Sequence, residues 1–552
     1  MFRRDGRGRL PALILSGGLA ATLGLTSAPA AQAAPALGTV TFSAGRGALA
    51  VVGTSSADTI GFTHTTVDGV AQLGVDLDGD GKAEALVPEA KVKSLVVTGR
   101  AGDDRISTAE IPASIKVRVF GGAGDDLLRG GPGDERFYGG TGDDSVFGGR
   151  GDDIAYLGAG DDRFGWAPGE GSDTVEGQSG NDTQLFLGAG VDENVTISNV
   201  RGRVRFFRDV ASITMNLNGI EVLDTNLLGG KDTINVRNLA GTGVKEVINR
   251  LGNNPGSQGR TIVEGTRRPD VINVLAQTGT GGTGVHVLGL PAQVELVGAG
   301  VEDELIVRGG ADGDRIAASI PAGSLTFTAD GGAGDDEIQG GDAAETLIGG
   351  PGSDVIDGGR GDDTADLGDG NLDLFIWDPG EGSDKVNGGR GRDVLVFRGS
   401  NQDEKFAVSR TGRGESLFTR DLGNIRMDLR SVEAVDLTAM GGADSLNVGD
   451  LGGSGLRAVV ANLSGLPGAP DPDRAVDTVT VAGSNQADSI RISGEPSDQV
   501  GSGTVTVEGL SAEVQLSRVE PTDRLIVNGG GGTDTFDTRR LAAGTVELTT
   551  VQ

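Results

Sequence analysis

The residues best suited to chemistry are acidic and recur every nine positions. Five consecutive units between Gly121 and Phe164 read GGAGDDLLR, GGPGDERFY, GGTGDDSVF, GGRGDDIAY and LGAGDDRF. Most have glycine at positions one, two and four, an acidic residue at position six and an apolar residue at position eight. A second array, Gly331–Asp366, reads GGAGDDEIQ, GGDAAETLI, GGPGSDVID and GGRGDDTAD. A carboxylate repeated in this way indicates repeated ligands for cations.

Stacking would place these carboxylates in columns. If two nonapeptides complete one turn, residues 18 apart lie above one another at about 4.8 Å, the spacing of neighbouring strands. Asp126, Asp144 and Asp162 then form one column, and Glu135 and Asp153 belong to the opposite one. Glycine at positions one, two and four permits the positive φ of a tight loop. We expect the position-eight side chains to face inward (Leu128, Phe137, Val146) and the position-five aspartates to face solvent (Asp125, Asp143, Asp152).

Such columns are costly without a counter-ion. Two carboxylates about 5 Å apart repel by several kcal/mol at an effective dielectric near 20, and one of them would tend to stay protonated. Calcium removes this cost because it accepts six to eight oxygen ligands in flexible geometry. Magnesium requires a stricter octahedral geometry. Zinc prefers His or Cys ligands, and this chain has only two His and no Cys. The alternative is a set of solvated Gly/Asp turns without an ion.

The pattern GGxGxDxUx resembles the repeat of RTX (haemolysin-type) calcium-binding β-roll proteins, of the bacterial secreted calcium-binding type. The resemblance implies that loops of adjacent turns share each ion, with the position-six aspartate and backbone carbonyls as ligands. It implies these ligands in the two arrays: Asp126, Asp144, Asp153, Asp162, Asp336, Asp354 and Asp363. Glu135 and Glu345 depart from the pattern. The arrays resume after short insertions and add four more: Asp173, Asp182, Asp384 and Asp393.

A second candidate calcium loop runs from Asp76 to Glu84, with the sequence DLDGDGKAE. Alternating carboxylates followed by glycine resemble a DxDxDG calcium loop. The ligands would be Asp76, Asp78 and Asp80. An acidic hairpin turn is the alternative interpretation.

Longer repeats organise the rest of the chain. Gly53–Ile60 reappears at Gly265–Ile272 and Gly483–Ile490, which define A units, and Arg205–Asp224 corresponds to Leu417–Asp436 in B units. The order is A, array, B, A, array, B, A, which indicates a tandem duplication. The predicted division is signal peptide 1–33, A1 34–118, RTX β-roll 1 119–187, B1 188–262, A2 263–328, RTX β-roll 2 329–397, B2 398–480 and the capping unit A3 481–552.

The secondary structure is predicted to be β throughout. Short β-branched runs such as Ser94–Val97 and Lys116–Phe120 end at Gly/Asp clusters. Similar Gly/Asp-rich turn sequences recur at intervals of about 20 residues, for example those that start at Gly99 and Gly121. The fold class is therefore all-β, a parallel β-roll or β-solenoid in which the flanking A and B units are further solenoid coils or small sandwiches.

Composition and the N-terminus indicate export. The 552 residues include 98 Gly, no Cys and a formal net charge of −32, which argues against nucleic acid as a partner and favours cations. Four arginines precede the apolar run Leu10–Leu25, and Ala31-Gln32-Ala33 offers a cleavage site. This is the layout of a secretory signal peptide. The general secretory route is favoured, with the Arg3-Arg4 pair leaving twin-arginine export open. No second segment approaches membrane-spanning length.

Enzyme motifs are missing from the sequence. There is no HExxH, GxSxG or Cys, and His64 and His286 lie at non-equivalent positions. We expect a secreted, non-enzymatic protein that binds several Ca²⁺ ions and has a structural or adhesive role, with a cell-surface or matrix glycan or protein as a possible partner. The alternative is a calcium-dependent polysaccharide lyase or epimerase on a β-helix.

Two further pairs of residues recur in both copies. Trp166 and Trp377 are expected to act as structural plugs where the arrays are interrupted, with stacking on a sugar as the alternative. Arg208-Asp209 and Arg420-Asp421 are expected to form paired surface charges in the B units.

Overall fold

Two long β-sheets run through the computed structural model. The structure describes residues 37–251, 258–279, 282–463, 474–495 and 503–552, so the predicted signal peptide 1–33 lies outside the described residues. From Gly38 to Gln552 the chain forms one compact unit. The described residues contain 48 strands, three 3-10 helices and no α-helix, and none of their helices is long and apolar enough to cross a membrane.

The strands before and within the first array are short. Up to the array they are β1 Thr39–Ser43, β2 Ala48–Val52, β3 Thr59–Val67, β4 Val70–Asp76, β5 Ala85–Pro88, β6 Ser94–Ala101 and β7 Arg105–Ser107. In the array they are β8 Lys116–Ala123, β9 Leu127–Arg129, β10 Glu135–Thr141, β11 Ser145–Phe147, β12 Ile154–Ala159, β13 Arg163–Trp166, β14 Thr174–Ser179 and β15 Thr183–Leu187.

The middle of the chain continues in the same way. The strands are β16 Asn194–Val200, β17 Arg203–Arg208, β18 Ile213–Asn218, β19 Val222–Asn226, β20 Lys231–Val236, β21 Glu246–Arg250, β22 Gln258–Glu264, β23 Val271–Gly279, β24 Gly282–Leu288, β25 Gln293–Val297, β26 Glu304–Ala311 and β27 Arg315–Ser319.

The second array and the C-terminal part complete the two sheets. The array contains β28 Thr326–Ala333, β29 Glu337–Gln339, β30 Thr346–Gly352, β31 Val355–Asp357, β32 Thr364–Gly370, β33 Asp373–Trp377, β34 Lys385–Asn387 and β35 Asp393–Arg398. After it come β36 Lys405–Gly412, β37 Glu415–Arg420, β38 Ile425–Arg430, β39 Ala434–Thr438, β40 Ser445–Val448, β41 Ala458–Asn462, β42 Thr478–Ala482, β43 Ser489–Glu495, β44 Gly503–Glu508, β45 Glu513–Val519, β46 Arg524–Asn528, β47 Thr535–Leu541 and β48 Glu547–Val551. The 3-10 helices are Glu89–Lys91, Val210–Ser212 and Leu422–Asn424.

Within the arrays the chain alternates between the two sheets, called sheet A and sheet B, at every strand. In sheet A, β10 pairs in parallel with β8 and β12, and in sheet B, β11 pairs in parallel with β9 and β13. Tyr138 lies opposite Phe120 and Tyr156, 18 residues away on either side. The predicted parallel β-solenoid is therefore confirmed, with two nonapeptides per coil.

The core lies between the two sheets. Side chains alternate between buried and more exposed along the strands, and the buried apolar residues form one continuous cluster. Leu128, Phe137 and Val146 at position eight are fully buried, as predicted. Because each short strand contributes at most a few such side chains, stability depends on stacking many coils.

Antiparallel meanders interrupt the parallel stack outside the arrays. In sheet A, three antiparallel strands lie between two strands of the parallel stack, in the order β14-β18-β17-β16-β20. The second half of the chain has the equivalent order β34-β38-β37-β36-β40. Sheet B has equivalent three-stranded meanders, in the order β21-β25-β24-β23-β27. Its second copy has the order β41-β45-β44-β43-β47. These insertions are hydrogen-bonded into the sheets, so the segments around the arrays are solenoid coils. The exact boundaries of the A and B units stay a prediction.

A buried ion pair closes each array. Arg208 and Glu193 are both buried and form a salt bridge. The Arg208 guanidinium lies 5.4 Å from the ring centroid of Trp166, which stacks on Phe186 at 4.2 Å. Trp166 Nε1 also donates a hydrogen bond of 2.8 Å to the Gly171 carbonyl. The tryptophan is thus a structural plug, as expected.

The second copy repeats this arrangement with Arg420, Glu404 and Trp377. The prediction that both arginines carry surface charge is wrong, because each is needed to neutralise a buried glutamate. Only the neighbouring aspartates, Asp209 and Asp421, are exposed.

We expect Arg208→Leu to lower the free energy of unfolding by about 3–5 kcal/mol, because it leaves a buried carboxylate without its cation. Urea unfolding followed by tryptophan fluorescence measures this in a Trp377→Phe background, where Trp166 alone reports. Arg205→Leu, an exposed arginine on the same strand, is the control and should change stability by less than about 1 kcal/mol. Equal losses in the two variants would contradict the structural role of the buried pair.

Candidate functional site

The loops that join the sheets require glycine for two different reasons. In most units the backbone at positions two and four has positive φ, for example 132° at Gly122 and 126° at Gly124, which favours glycine. Gly121 at position one does not have positive φ. A Cβ atom there would instead collide with Asp126 Oδ2 and lie 2.7 Å from the Gly139 carbonyl oxygen. The prediction that glycine at position one serves a positive φ is therefore wrong; at Gly121 glycine is needed for space.

In the first array the position-six side chains form two continuous ladders. Asp144 Oδ1 accepts a hydrogen bond of 2.8 Å from the Asp126 N–H, and Asp162 Oδ1 accepts one of 2.7 Å from the Asp144 N–H. On the opposite edge, Asp153 Oδ1 accepts from the Glu135 N–H at 2.7 Å. Each coil thus presents its N–H to the carboxylate of the next coil, and the columns expected from the 18-residue spacing are present.

The second oxygen of these carboxylates is buried without a hydrogen-bond partner. Asp144 is 1% exposed, yet its Oδ2 has no partner. Its Oδ2 and the Leu157 carbonyl oxygen converge on the space beside Gly139 that a Cβ would fill. The same orphaned Oδ2 occurs at Asp104, Asp126, Asp153, Asp162, Asp173, Asp182, Asp314, Asp336, Asp354, Asp363, Asp373, Asp384, Asp393 and Asp534. A buried carboxylate oxygen without a partner is costly, and a proton or a cation at these sites would offset that cost.

Burial disfavours the charged form of the carboxylates within the arrays. It raises the pKa of Asp144 to about 7 and that of Asp153 to about 9, with neighbouring carboxylates adding to the shift. In the second array burial raises the pKa of Asp354 and of Asp384 to about 7. Backbone N–H donors oppose the shift but do not cancel it. Carboxylate and carbonyl oxygens that converge in a site short of positive charge suit a hard divalent cation such as calcium.

Comparison with known families supports the assignment of the loops. The RTX calcium-binding nonapeptide repeat matches residues 118–146, 129–164, 169–192, 328–345, 339–371 and 380–396. The two arrays are RTX repeats. The resemblance predicted from the sequence is confirmed for these segments, which contain both interrupted extensions as well as the arrays. No curated protein matches the chain.

The position-five aspartates of the RTX repeats form a second, outer ladder. Asp125 Oδ1 accepts a hydrogen bond of 2.8 Å from the Asp143 N–H, and Asp143 Oδ1 accepts one of 2.8 Å from the Asp161 N–H. In this outer ladder the N–H of the later coil donates to the aspartate of the earlier coil. In the position-six ladder the N–H of the earlier coil donates to the aspartate of the later coil. These side chains are exposed, as predicted, but they also bind neighbouring coils together.

Two glutamates replace aspartate where an RTX column begins. Glu135 is buried, and its Oε2 accepts a hydrogen bond of 2.9 Å from the Gly131 N–H of its own loop. Glu345 accepts from the Gly341 N–H at 3.2 Å in the second array. The preceding coils, at Thr108 and Ile320, lack a GGxGxD loop. The longer side chain therefore caps the column at its first coil.

Sequence reasoning missed three members of the RTX columns. Asp373 Oδ1 accepts from the Asp354 N–H at 2.9 Å, 19 residues away because one residue is inserted. Asp104 and Asp314 precede the arrays and extend the same ladder to Asp126 and Asp336. Both are the sixth residue of a Gly/Asp phrase, which was the signal available in the sequence.

The DxDxDG loop lies between β4 and β5. Carboxylate oxygens of Asp76, Asp78, Asp80 and Glu84 lie within 4.8 Å of one another. Asp76 is buried and accepts hydrogen bonds from the Gly79 and Gly81 N–H groups at 2.8 and 2.9 Å. The structure thus brings the three predicted ligands together and adds Glu84, the ninth residue of the loop. Four converging carboxylates can hold a cation, although Asp80 also pairs with Lys82.

Another acidic cluster lies beside the second RTX array. Carboxylate oxygens of Asp357, Asp378 and Glu381 lie within 4.8 Å of one another, and burial together with the neighbouring carboxylates raises the pKa of Glu381 to about 8. Arg398 lies 2.7 Å from Asp378 and supplies one positive charge. The first array has Phe147 and Ala167 at the positions of Asp357 and Asp378, so the cluster is not part of the repeat.

We expect the calcium-free protein to lose stability as the pH rises. Unfolded aspartate titrates near pH 3.9, whereas burial raises the pKa of Asp144 to about 7 and that of Asp153 to about 9. Between these values the folded state binds more protons than the unfolded state. The stabilisation is thus complete below about pH 4 and is lost as the pH rises through about 7 to 9. Thermal unfolding by circular dichroism in a chelator, at about pH 5 and about pH 8, measures this change.

Excess calcium is the control for this pH dependence. Protons compete with calcium for the same carboxylates, so with the metal present stability should rise with pH over the same range. A chelated protein with the same midpoint at both pH values would contradict the role of the buried carboxyl groups.

Proposed function

We propose that the protein is a secreted calcium-binding β-solenoid in which calcium ions occupy the position-six columns of both RTX arrays. The observation that carries the proposal is the row of buried Oδ2 atoms without hydrogen-bond partners. A cation between neighbouring loops would give these oxygens a partner and would use the carbonyl oxygens that face the position-one glycines.

The proposed ligands are the position-six aspartates predicted from the sequence in the two arrays and their extensions. In the first array they are Asp126, Asp144, Asp153, Asp162, Asp173 and Asp182, and in the second Asp336, Asp354, Asp363, Asp384 and Asp393; all are at most 3% exposed. Asp104, Asp314 and Asp373 join them on the same grounds. A separate ion is proposed for the β4–β5 loop, held by Asp76, Asp78, Asp80 and Glu84.

Calcium binding would make folding of the arrays depend on the calcium concentration, which is high outside the cell. A formal charge of −32 opposes compaction, and ions that bind only the folded chain stabilise it by mass action. Extracellular calcium modules have dissociation constants of about 10⁻⁴–10⁻³ M, a range in which the arrays would order outside the cell. The signal-peptide pattern at the N-terminus supports export, and we infer a structural or adhesive role without turnover.

Calcium titration of the mature chain tests this proposal, and Asp144→Asn against Asp143→Asn sharpens it. Asp144→Asn removes a buried charge whose Oδ1 accepts from the preceding coil and whose Oδ2 lies, with the Leu157 carbonyl oxygen, in the space beside Gly139. It should weaken calcium binding about tenfold or more, because one charged ligand of a hard cation becomes neutral. Asp143→Asn keeps its hydrogen-bond oxygen at an exposed site and should have little effect. Isothermal titration calorimetry and the β signal in circular dichroism measure both.

No calcium-induced gain in β signal together with no heat of binding in the parent protein would overturn the calcium proposal. Equal affinities in the two variants would leave calcium binding in place and reject position six as its ligand.

The loop site has its own test. Glu84→Gln should remove about one bound ion per chain, because it neutralises one of four carboxylates. Lys82→Gln should strengthen binding there, since it frees Asp80 from its salt bridge of 2.6 Å. Calorimetric stoichiometry of the parent and both variants measures the change. A stoichiometry and affinity unaltered by either substitution would show that the loop is an acidic turn only.

A further inference from the structure

One outer face of the first array is basic and aromatic, although the protein as a whole is acidic. This basic face consists of the outward side chains of β8, β10 and β12 in sheet A, namely Lys116, Arg118, Phe120, Arg136, Tyr138 and Tyr156. The pairing register places Arg136 beside Arg118, and Tyr138 between Phe120 and Tyr156. A column of rings therefore runs beside two neighbouring arginines.

The rings form a rigid stack. Phe120 and Tyr138 lie 4.5 Å apart between centroids with planes 6° apart, and Tyr138 and Tyr156 lie 5.2 Å apart with planes 10° apart. Their faces cover one another, so their edges and the two tyrosine hydroxyls are left for contact with solvent or a ligand. Within the described part of the chain, neither hydroxyl has a hydrogen-bond partner.

A groove of about 790 Å³ lies along the cationic side of this face. Lys116, Arg118 and Arg136 line it together with Ser94, Pro132 and Asp134. The three cations are exposed, and among the described residues none of them forms a salt bridge. Asp134 is the one carboxylate of the groove lining, and its Oδ1 already accepts a hydrogen bond from the Asp152 N–H.

The second array shows that the solenoid does not need these residues. The same backbone positions there hold Thr326, Thr328 and Thr346 in place of the three cations. In place of the three rings it has Asp330, Ile348 and Asp366. The coils form equally well with neutral or acidic residues, so the basic face of the first array is available for a task other than folding.

The net negative charge does not prevent an anion from binding here. Exposed charges are screened beyond about 8–10 Å at physiological ionic strength, so the local groups decide what the groove attracts. Neighbouring strands are about 4.8 Å apart, which spaces Arg118 and Arg136 for successive acidic groups of a linear polymer. Guanidinium groups bind planar carboxylate and sulfate oxygens in a fork, and the tyrosine hydroxyls can bond to sugar hydroxyls.

We propose that the basic face of the first array binds an acidic polysaccharide, with Lys116, Arg118 and Arg136 contacting its carboxylate or sulfate groups. The inference rests on the adhesive role proposed above and gives it a site and a ligand class. Nucleic acid is disfavoured because a wide, densely charged duplex would also lie over the exposed aspartates at the edges of this face, within the screening length.

The test uses the full mature chain with saturating calcium and three polymers. Polygalacturonate presents carboxylates, dextran sulfate presents sulfates without carboxylates, and neutral dextran is the blank; affinity electrophoresis or calorimetry gives the dissociation constants. The test variant takes the residues of the second array, Lys116→Thr, Arg118→Thr and Arg136→Thr. The matched control removes the same charge elsewhere, from exposed arginines, as Arg163→Thr, Arg267→Thr and Arg268→Thr.

We expect the parent and the matched control to bind one or both acidic polymers, and the test variant to bind about tenfold or more weakly because three ion pairs are lost. Added salt should weaken binding of the parent. Whether polygalacturonate or dextran sulfate binds more tightly tells which acidic group is the ligand. The matched control also accounts for calcium bridging between acidic chains, which would be the same in both variants.

Equal binding by the test variant and the parent would overturn the inference, as would binding no stronger than to neutral dextran. Circular dichroism with calcium is recorded for every variant. A normal calcium response with unweakened glycan binding in the test variant rejects the basic face alone, whereas a missing calcium response in the parent rejects the calcium proposal.

Discussion

The hydrogen bond between one coil's N–H and the next coil's carboxylate constrains the rest of the structure. It fixes Asp126, Asp144 and Asp162 one above another and uses only Oδ1 of each acceptor. The other oxygen is then buried beside a glycine with no room for a Cβ. Structural order and the demand for positive charge thus come from the same side chain. The raised pKa values follow from this arrangement, because a carboxylate fixed by stacking cannot turn to water.

The repeat made the columns predictable. The spacing of the glycines and of the position-six acids predicted the 18-residue register and the two carboxylate columns on opposite edges of the solenoid. It also predicted which apolar residues face inward, because the period of the repeat determines which residues stack. Asp373 was missed because a single inserted residue breaks that period, although the backbone absorbs it and restores the contact with Asp354. The role of position one was also misjudged, since crowding by another coil's carbonyl, as at Gly121, is not visible in local sequence.

Long-range pairing explains the other differences. Arg208 stands next to the exposed Asp209 in sequence, and nothing local shows that its partner is Glu193 in the buried interior. The meanders are similar: β16, β17 and β18 alternate like any strands, and only their partners show that β18 follows β14 in the sheet. The basic face illustrates the same point, since Lys116, Arg118 and Arg136 become one surface only when the coils stack.

The meanders also set how many strands each sheet has between the two arrays. Each one adds two strands to one sheet without adding a coil to the other, so a single insertion would make that side of the solenoid longer. Between β14 and β28 the two extra strands fall in sheet A, as β16 and β17, and then in sheet B, as β23 and β24. Both sheets reach the second array after the same number of steps. The first insertion puts the two sheets out of step by two strands, and the second insertion brings them back into step before the second array.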